Sequence, residues 1–179
     1  MDICKVKWTQ LQSEIFSLLC LKVGEKLSQR DIAKFLKVSP TAVANSLKAL
    51  KKDNFISLEK TKNINFIYLN RDNETAIELK RVENLKNVYT SRLLEYLEKE
   101  LPGGTIILFG SYSYGGDINT SDVDIAVIGR KDKPLQLEEF DRILNRKINI
   151  NFYDSFREIH KNLKDNILNG IVLKGTVEL

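Results

Sequence analysis

Leu11, Ile15, Leu18 and Leu19 recur at i, i+4, i+7 and i+8, the stripe of an amphipathic helix over about 8–23 that Gly24 ends. Ser28 followed by Asp31 is a capping-box pattern, opening a short second helix whose Ile32, Phe35 and Leu36 are expected to face inward. Ser39 then caps a third helix, with Pro40 at the first position, where a missing N–H costs nothing. That helix is expected to run to about Lys52, burying Val43, Leu47 and Leu50. Thr41, Asn45, Lys48 and Lys52 fall on the opposite face, which is polar and basic. Two β-like stretches follow, over 55–59 and 65–69, joined by a polar turn over 60–63.

Between 73 and 101, Leu79, Val82, Leu85, Tyr89, Leu93 and Tyr96 stand three or four apart, which predicts one long helix linking the halves. Pro102, Gly103 and Gly104 break it. Strand and helix alternate beyond. The expected elements are a strand over 105–109, a glycine-rich turn over 110–116 that starts a helix, and a strand over 122–128. A helix over 135–146, a strand over 147–153, a helix over 155–168 and a return to the sheet edge over 171–174 complete the pattern. That order predicts a small mixed α/β domain. The chain is thus read as α+β, with a first domain over 1–72, a linker helix over 73–101 and a second domain over 102–179.

Charge divides along the same line. Residues 1–72 hold 13 Lys and Arg against 7 Asp and Glu, a surplus of six positive charges, whereas residues 73–179 hold 15 against 17. The basic half suggests a polyanion such as nucleic acid, and the slightly acidic half, with its clustered Asp, a cation. A composition of 42% hydrophobic and 29% charged residues excludes a disordered or collagen-like chain. The longest nearly unbroken apolar run, over 15–21, is far short of the roughly 20 residues that span a bilayer. Asp2, Lys5 and Lys7 are not followed by the apolar segment of a secretory signal. Cys4 and Cys20 do not make a disulfide framework, so a cytoplasmic location is expected.

The informative stretch is 109–127, FGSYSYGGDINTSDVDIAV. Gly110 and Ser111 directly follow a strand, where a glycine lets a polyphosphate approach the backbone and the Ser111 hydroxyl bonds its oxygens. Asp122 and Asp124, two apart on a predicted strand, project from one face with Cα atoms about 6 to 7 Å apart. Val123, Ile125 and Val127 bury the other face. Two carboxylates aimed at one spot repel unless a cation lies between them, which beside a phosphate cradle makes a Mg²⁺ site.

These residues resemble the nucleotidyltransferase superfamily that includes DNA polymerase beta, and most closely its small branch of minimal nucleotidyltransferases. The family's Gly-Ser pair, further Gly and Ser-preceded Asp-x-Asp are matched by Gly110, Ser111, Gly115, Ser121, Asp122 and Asp124 at the usual spacing. The downstream order of elements extends the resemblance to about 70 residues, over 105–174. It implies transfer of a nucleoside monophosphate from a nucleoside triphosphate to a hydroxyl, with release of pyrophosphate. Gly110 and Ser111, with Ser121, would hold the nucleotide, and Asp122 and Asp124 would be catalytic and bind Mg²⁺ or Mn²⁺.

Two positions depart from the family. Its third carboxylate, on the next strand, has Asn149 as its expected counterpart here, a neutral amide that cannot accept a proton as a carboxylate does. Asn151 on the same face has the same limit, and Asp154 lies at an odd offset past the strand. Tyr114 stands where the family often has Arg, removing a phosphate contact. Nucleotide binding survives these changes more easily than turnover.

Residues 8–70, three helices followed by a hairpin, look like the winged helix-turn-helix domains of prokaryotic transcription regulators, above all in SQRDIAKFLKVSPTAVANSLKAL over 28–50. The resemblance implies binding to double-stranded DNA, with Thr41, Asn45 and Lys48 in the major groove and Lys51, Lys52, Lys60 and Lys62 near phosphates. The competing role for such a domain is protein docking or dimerisation. A homodimer is slightly favoured, because DNA half-sites often demand two-fold partners. The acceptor hydroxyl is open to three sources: a protein, as in antitoxins that modify a partner toxin, a small molecule, or a nucleic-acid end. Two non-catalytic readings stand beside the enzyme: a regulator whose degenerate transferase domain senses a nucleotide or binds a partner, and an antitoxin that only docks its toxin. Among smaller features, Trp8 is expected in the core, His160 exposed, and Tyr112 and Tyr114 either stacked on a base or packed in the pocket wall.

Overall fold

The computed structural model describes residues 7–62 and 64–177, so Cys4, and Asn63 at the end of the expected polar turn, lie outside the described residues. Two compact units divide the chain, Met1–Ala76 and Ile77–Leu179.

In the first unit, helix α1 (Gln10–Leu21) starts on Thr9, which forms a capping box with Gln12. Strand β1 (Leu27–Ser28) precedes α2 (Gln29–Leu36), where Ser28 and Asp31 cap reciprocally as their spacing predicts. Ser39 caps α3 (Pro40–Lys52), with Pro40 at its start. β2 (Ile56–Lys60) and β3 (Asn65–Leu69) form the hairpin, and β1 pairs with β3, giving a three-stranded antiparallel sheet of order β1-β3-β2. Trp8 packs its ring 4.8 Å from Phe16 and 5.1 Å from Phe55, tying the start of α1 to the sheet. Ile15, Phe16, Leu19, Cys20, Ile32, Val43, Leu47 and Leu50 fill the core. Phe35, expected inside, is 53% exposed: Ile32 and Ala33 supply the buried face of α2, and Lys22 Nζ stands over the Phe35 ring at 5.8 Å. Three helices and a β-hairpin make this unit a winged helix.

The single helix expected over 73–101 is two, α4 (Glu74–Thr90) and α5 (Leu93–Glu100). The Ser91 hydroxyl donates to the Val88 carbonyl and accepts from the Leu93 N–H, and Arg92 turns left-handed at φ 64°. The bend lets Leu93, Leu97 and Leu101 join Val88 in the core. The predicted stripe also rotates: Val82 and Tyr89 are exposed, while Lys80, Asn84 and Val88 are buried.

The rest of the second unit comprises β4 (Thr105–Phe109), the short α6 (Gly110–Ser113), β5 (Val123–Ile128), α7 (Glu138–Leu144), β6 (Ile148–Tyr153), α8 (Lys161–Leu168) and β7 (Ile171–Lys174). The helix expected over 155–168 is interrupted: a 3-10 turn (Phe156–Glu158) buries Phe156, extended Ile159 buries next to it, and α8 begins only after His160, which is exposed. The sheet order is β6-β5-β4-β7, with β5 and β6 parallel and the other pairs antiparallel. Alternate strand residues feed two cores. Ile106, Leu108, Val123, Ile125 and Val127 pack with Leu93, Leu97 and Leu144 on one face, and Ile107, Phe109, Ala126 and Ile128 with Phe156, Ile159 and Ile167 on the other. Among the described residues no helix is long and apolar enough to cross a membrane.

Candidate functional site

The β4–β5 pairing builds the site. Phe109, the last residue of β4, lies opposite Asp124, so the chain leaves the sheet at Gly110 beside that carboxylate. Gly110 has φ 70°, and a Cβ there would sit 2.7 Å from Asp124 Oδ2, so both conformation and contact call for glycine. The Ser113 hydroxyl donates to the Gly110 carbonyl at 2.8 Å, holding the turn that presents Ser111.

On the other side of β5, Asp124 is in register with Asn149 of β6. Asn149 Nδ2 donates to Asp122 Oδ2 at 2.8 Å. Asp122 stands just before β5, and both carboxylates are half-buried. Desolvation pushes the Asp124 carboxyl above its ordinary value, and the neighbouring Asp122 charge adds to the rise against the opposing hydrogen bond from Asn149. Two carboxylates converging on one amide are donors that suit Mg²⁺, which takes one or two protein carboxylates and completes its shell with water and phosphate oxygens. Among the described residues no group of three or more His, Cys, Asp or Glu forms a metal cluster, and the polar side chain beside the pair is the amide of Asn149.

One pH dependence follows. A cation arriving here must displace the proton that Asp124 holds to higher pH than an ordinary Asp. Mg²⁺ affinity is therefore expected to fall as pH drops through that raised value, beginning above the ordinary Asp range near 4. Calorimetric Mg²⁺ titrations from about pH 7 down to about pH 4 check it, and an affinity flat over that whole range would remove Asp124 as a ligand.

Other expected residues are placed differently. The Ser121 hydroxyl accepts from the Ile118 N–H at 3.0 Å, closing the turn that leads to Asp122, so its first duty is to that turn. Asn151 lies in register with Ala126, one pleat further from the acidic pair, and Asp154 is exposed past the end of β6. Tyr112 is buried in the core and unable to stack on a ligand, whereas Tyr114 is 57% exposed. Sequence reasoning missed Asp117, which is fully buried between Lys80, Asn84 and Arg146.

In the first unit, Thr41, Asn45, Lys48, Lys51 and Lys52 are all exposed on α3, and Lys48 Nζ donates to Asn45 Oδ1 at 3.1 Å. Lys60 and Lys62 are exposed at the hairpin end, where the Thr61 N–H and hydroxyl both donate to the Ile64 carbonyl.

Residues 90–173 match the family model described as a nucleotidyltransferase domain, and residues 12–63 match that of the MarR family. No curated protein matches the chain. Solved structures similar to it include wild-type ZitR of Lactococcus lactis in complex with DNA, at 23% identity over 56% of this chain and 67% of that one, with a TM-score of 0.42. The adhesin competence repressor AdcR of Streptococcus pyogenes is 28% identical over 56% of this chain and 74% of its own, with a TM-score of 0.40. MepR, a transcription regulator of the Staphylococcus aureus multidrug efflux pump MepA, is 22% identical over 52% of this chain and 70% of its own, with a TM-score of 0.41. With the acidic pair and glycine turn inside the first family match and α3 inside the second, the chain carries a MarR-type winged-helix domain followed by a nucleotidyltransferase domain.

Proposed function

We propose that the second unit binds a nucleoside triphosphate with Mg²⁺ or Mn²⁺ and transfers its nucleoside monophosphate to a hydroxyl, and that the winged helix binds double-stranded DNA, in a cytoplasmic regulator. The observation that carries this reading is the packing of the Gly110 turn directly against Asp124, with Asp122 and Asn149 at the same end of the sheet. In the reaction an acceptor oxygen attacks the α-phosphorus, the bond from that phosphorus to the β-phosphate oxygen breaks, and pyrophosphate leaves while the hydroxyl proton passes to solvent or a base. Gly110 and Ser111 hold the terminal phosphates, and Asp122 and Asp124 hold the metal. When bound, the metal neutralises charge that develops on the α-phosphate and leaving group. The exposed polar and basic face of α3 and the MarR match support the DNA half. A dimer on two half-sites fits such a domain.

Asn149 favours a second reading, nucleotide sensing without turnover, because its amide donates to the Asp122 carboxylate and offers no base for the acceptor. Titration of ATP, GTP, CTP and UTP with Mg²⁺, followed by transfer from an α-labelled triphosphate, separates the two. Binding with transfer establishes the enzyme, binding without transfer across protein, small-molecule and nucleic-acid acceptors establishes the sensor, and no binding overturns both. Asn149→Asp is expected to create or raise transfer by roughly tenfold or more, since it restores an anion and a proton acceptor beside the pair. No gain with the fold intact would mean that this amide does not stand in for the missing carboxylate.

A further inference from the structure

Two connections that lead into the acidic site meet helix α4 at one buried carboxylate. Asp117, fully buried, lies five residues before Asp122 on the connection out of the glycine turn. Lys80 of α4, also fully buried, donates to its Oδ1, and Asn84, one turn later, donates to the same oxygen at 2.7 Å. Arg146 Nη2, in the connection from α7 three residues before Asn149, donates to Oδ2 at 3.2 Å. Asn84 Nδ2 also donates to the Tyr112 carbonyl at 2.9 Å, the residue after Ser111. Gly115 lies against the same stretch of α4: at φ 82°, a Cβ there would sit 2.5 Å from the Ile77 carbonyl oxygen.

Stability alone does not explain such a cluster. Burying charges costs several kcal/mol per ion, and well-packed apolar side chains of similar volume are often as stable or more so. What an ionic cluster supplies is position, because a shift of Asp117 by a fraction of an ångström breaks bonds to α4 and to Arg146 together.

We propose that Asp117 and Asn84 are positioning residues for the nucleotide site, clamping the segment from Ser111 to Asp122 and the approach to Asn149 onto α4. The proposal rests on the nucleotide-binding reading for its purpose. Its structural content is independent of that reading.

Asp117→Asn strips the anion from between two buried cations and risks unfolding the unit, so Asn84→Ala in the full chain is the decisive variant. Hydrogen exchange without nucleotide is expected to quicken at amides 111–122 relative to wild type while the strands β4 and β5 keep their protection. Titration with Mg-ATP is expected to show roughly tenfold or greater loss of affinity at unchanged stoichiometry. A merely structural role would instead lower the number of sites and leave the affinity of the folded molecules as it was. Unchanged exchange over 111–122 overturns the proposal, as does weakened protection across the whole unit. If wild type itself binds none of the four Mg-nucleotides, the nucleotide reading falls, and the exchange comparison still decides whether the cluster positions the segment.

Discussion

Replacing Asp122 and Asp124 together by Ala is expected to weaken Mg²⁺-dependent nucleotide binding by about 100-fold or more and to bring transfer to background. The two carboxylates are the anionic donors beside the Gly110 turn, and what remains at that end of the sheet is the Asn149 amide, a neutral ligand. Stability should move the other way. Asp124 is held above its ordinary pKa by desolvation and by Asp122, so its ionised form is less comfortable folded than unfolded. Its contribution favours the fold at acid pH and is lost as pH rises from the unfolded value through the raised one, so at neutral pH the Asp124 carboxylate opposes folding. The double variant is therefore expected to melt no earlier than wild type, measured by calorimetry near pH 7, while it loses its ligand. Retained nucleotide affinity in a cooperatively folded variant would mean that the acidic pair is not the metal site.

Lys48→Ala combined with Lys52→Ala is expected to lower affinity for duplex DNA by roughly 10- to 100-fold at about 0.1 M salt. It should also reduce the slope of log affinity against log salt by about 2, since two cations that displace counterions are gone. Both lysines are exposed on the outer face of α3, and Lys48 also steadies the Asn45 amide through the 3.1 Å bond to Oδ1. The variant therefore takes away charge and one side chain's orientation together, and discrimination between sites should suffer along with affinity. Gel-shift titrations at several salt concentrations measure both quantities. Affinity and slope unchanged from wild type would remove α3 as the recognition helix.

Elements whose apolar spacing and caps agreed were legible in the sequence. Ser28 with Asp31, and Ser39 with Pro40, begin their helices as the residue pattern predicts, and the strands of the acidic site alternate as their side chains require. One exception comes from side chains whose partners are distant in sequence. On α4 the apolar pattern pointed to Val82 and Tyr89, but the buried positions include Lys80 and Asn84, whose partner Asp117 lies more than thirty residues on. A reading that sets polar residues outward misplaces part of that helix's buried face, although Leu85 still packs on the core. At Ser91 the cause is local: two hydrogen bonds of a residue unremarkable in sequence turn the chain and divide the expected linker helix. Phe35 failed in the opposite sense, as a large apolar residue left outside while Ile32 and Ala33 supply the buried face of α2. A signal for the missed cluster was present: Lys80 and Asn84 stand four apart, in step with Ala76 and Val88, and an Asp follows the paired glycines.

The buried cluster also constrains how this chain can change over time. Removing Lys80 or Arg146 alone takes one cation from Asp117, and removing Asp117 alone takes the anion from two buried cations, so each single step costs more than the finished replacement. Descendants of this sequence are therefore expected either to retain Lys80, Asp117 and Arg146 as a set or to have exchanged them together for apolar residues. Variants with one member altered should be scarce, and those found should carry a compensating change at another of the three positions. A saturation library of position 117 built in the native background and again with Lys80→Met and Arg146→Leu would show it, with apolar residues tolerated only in the second.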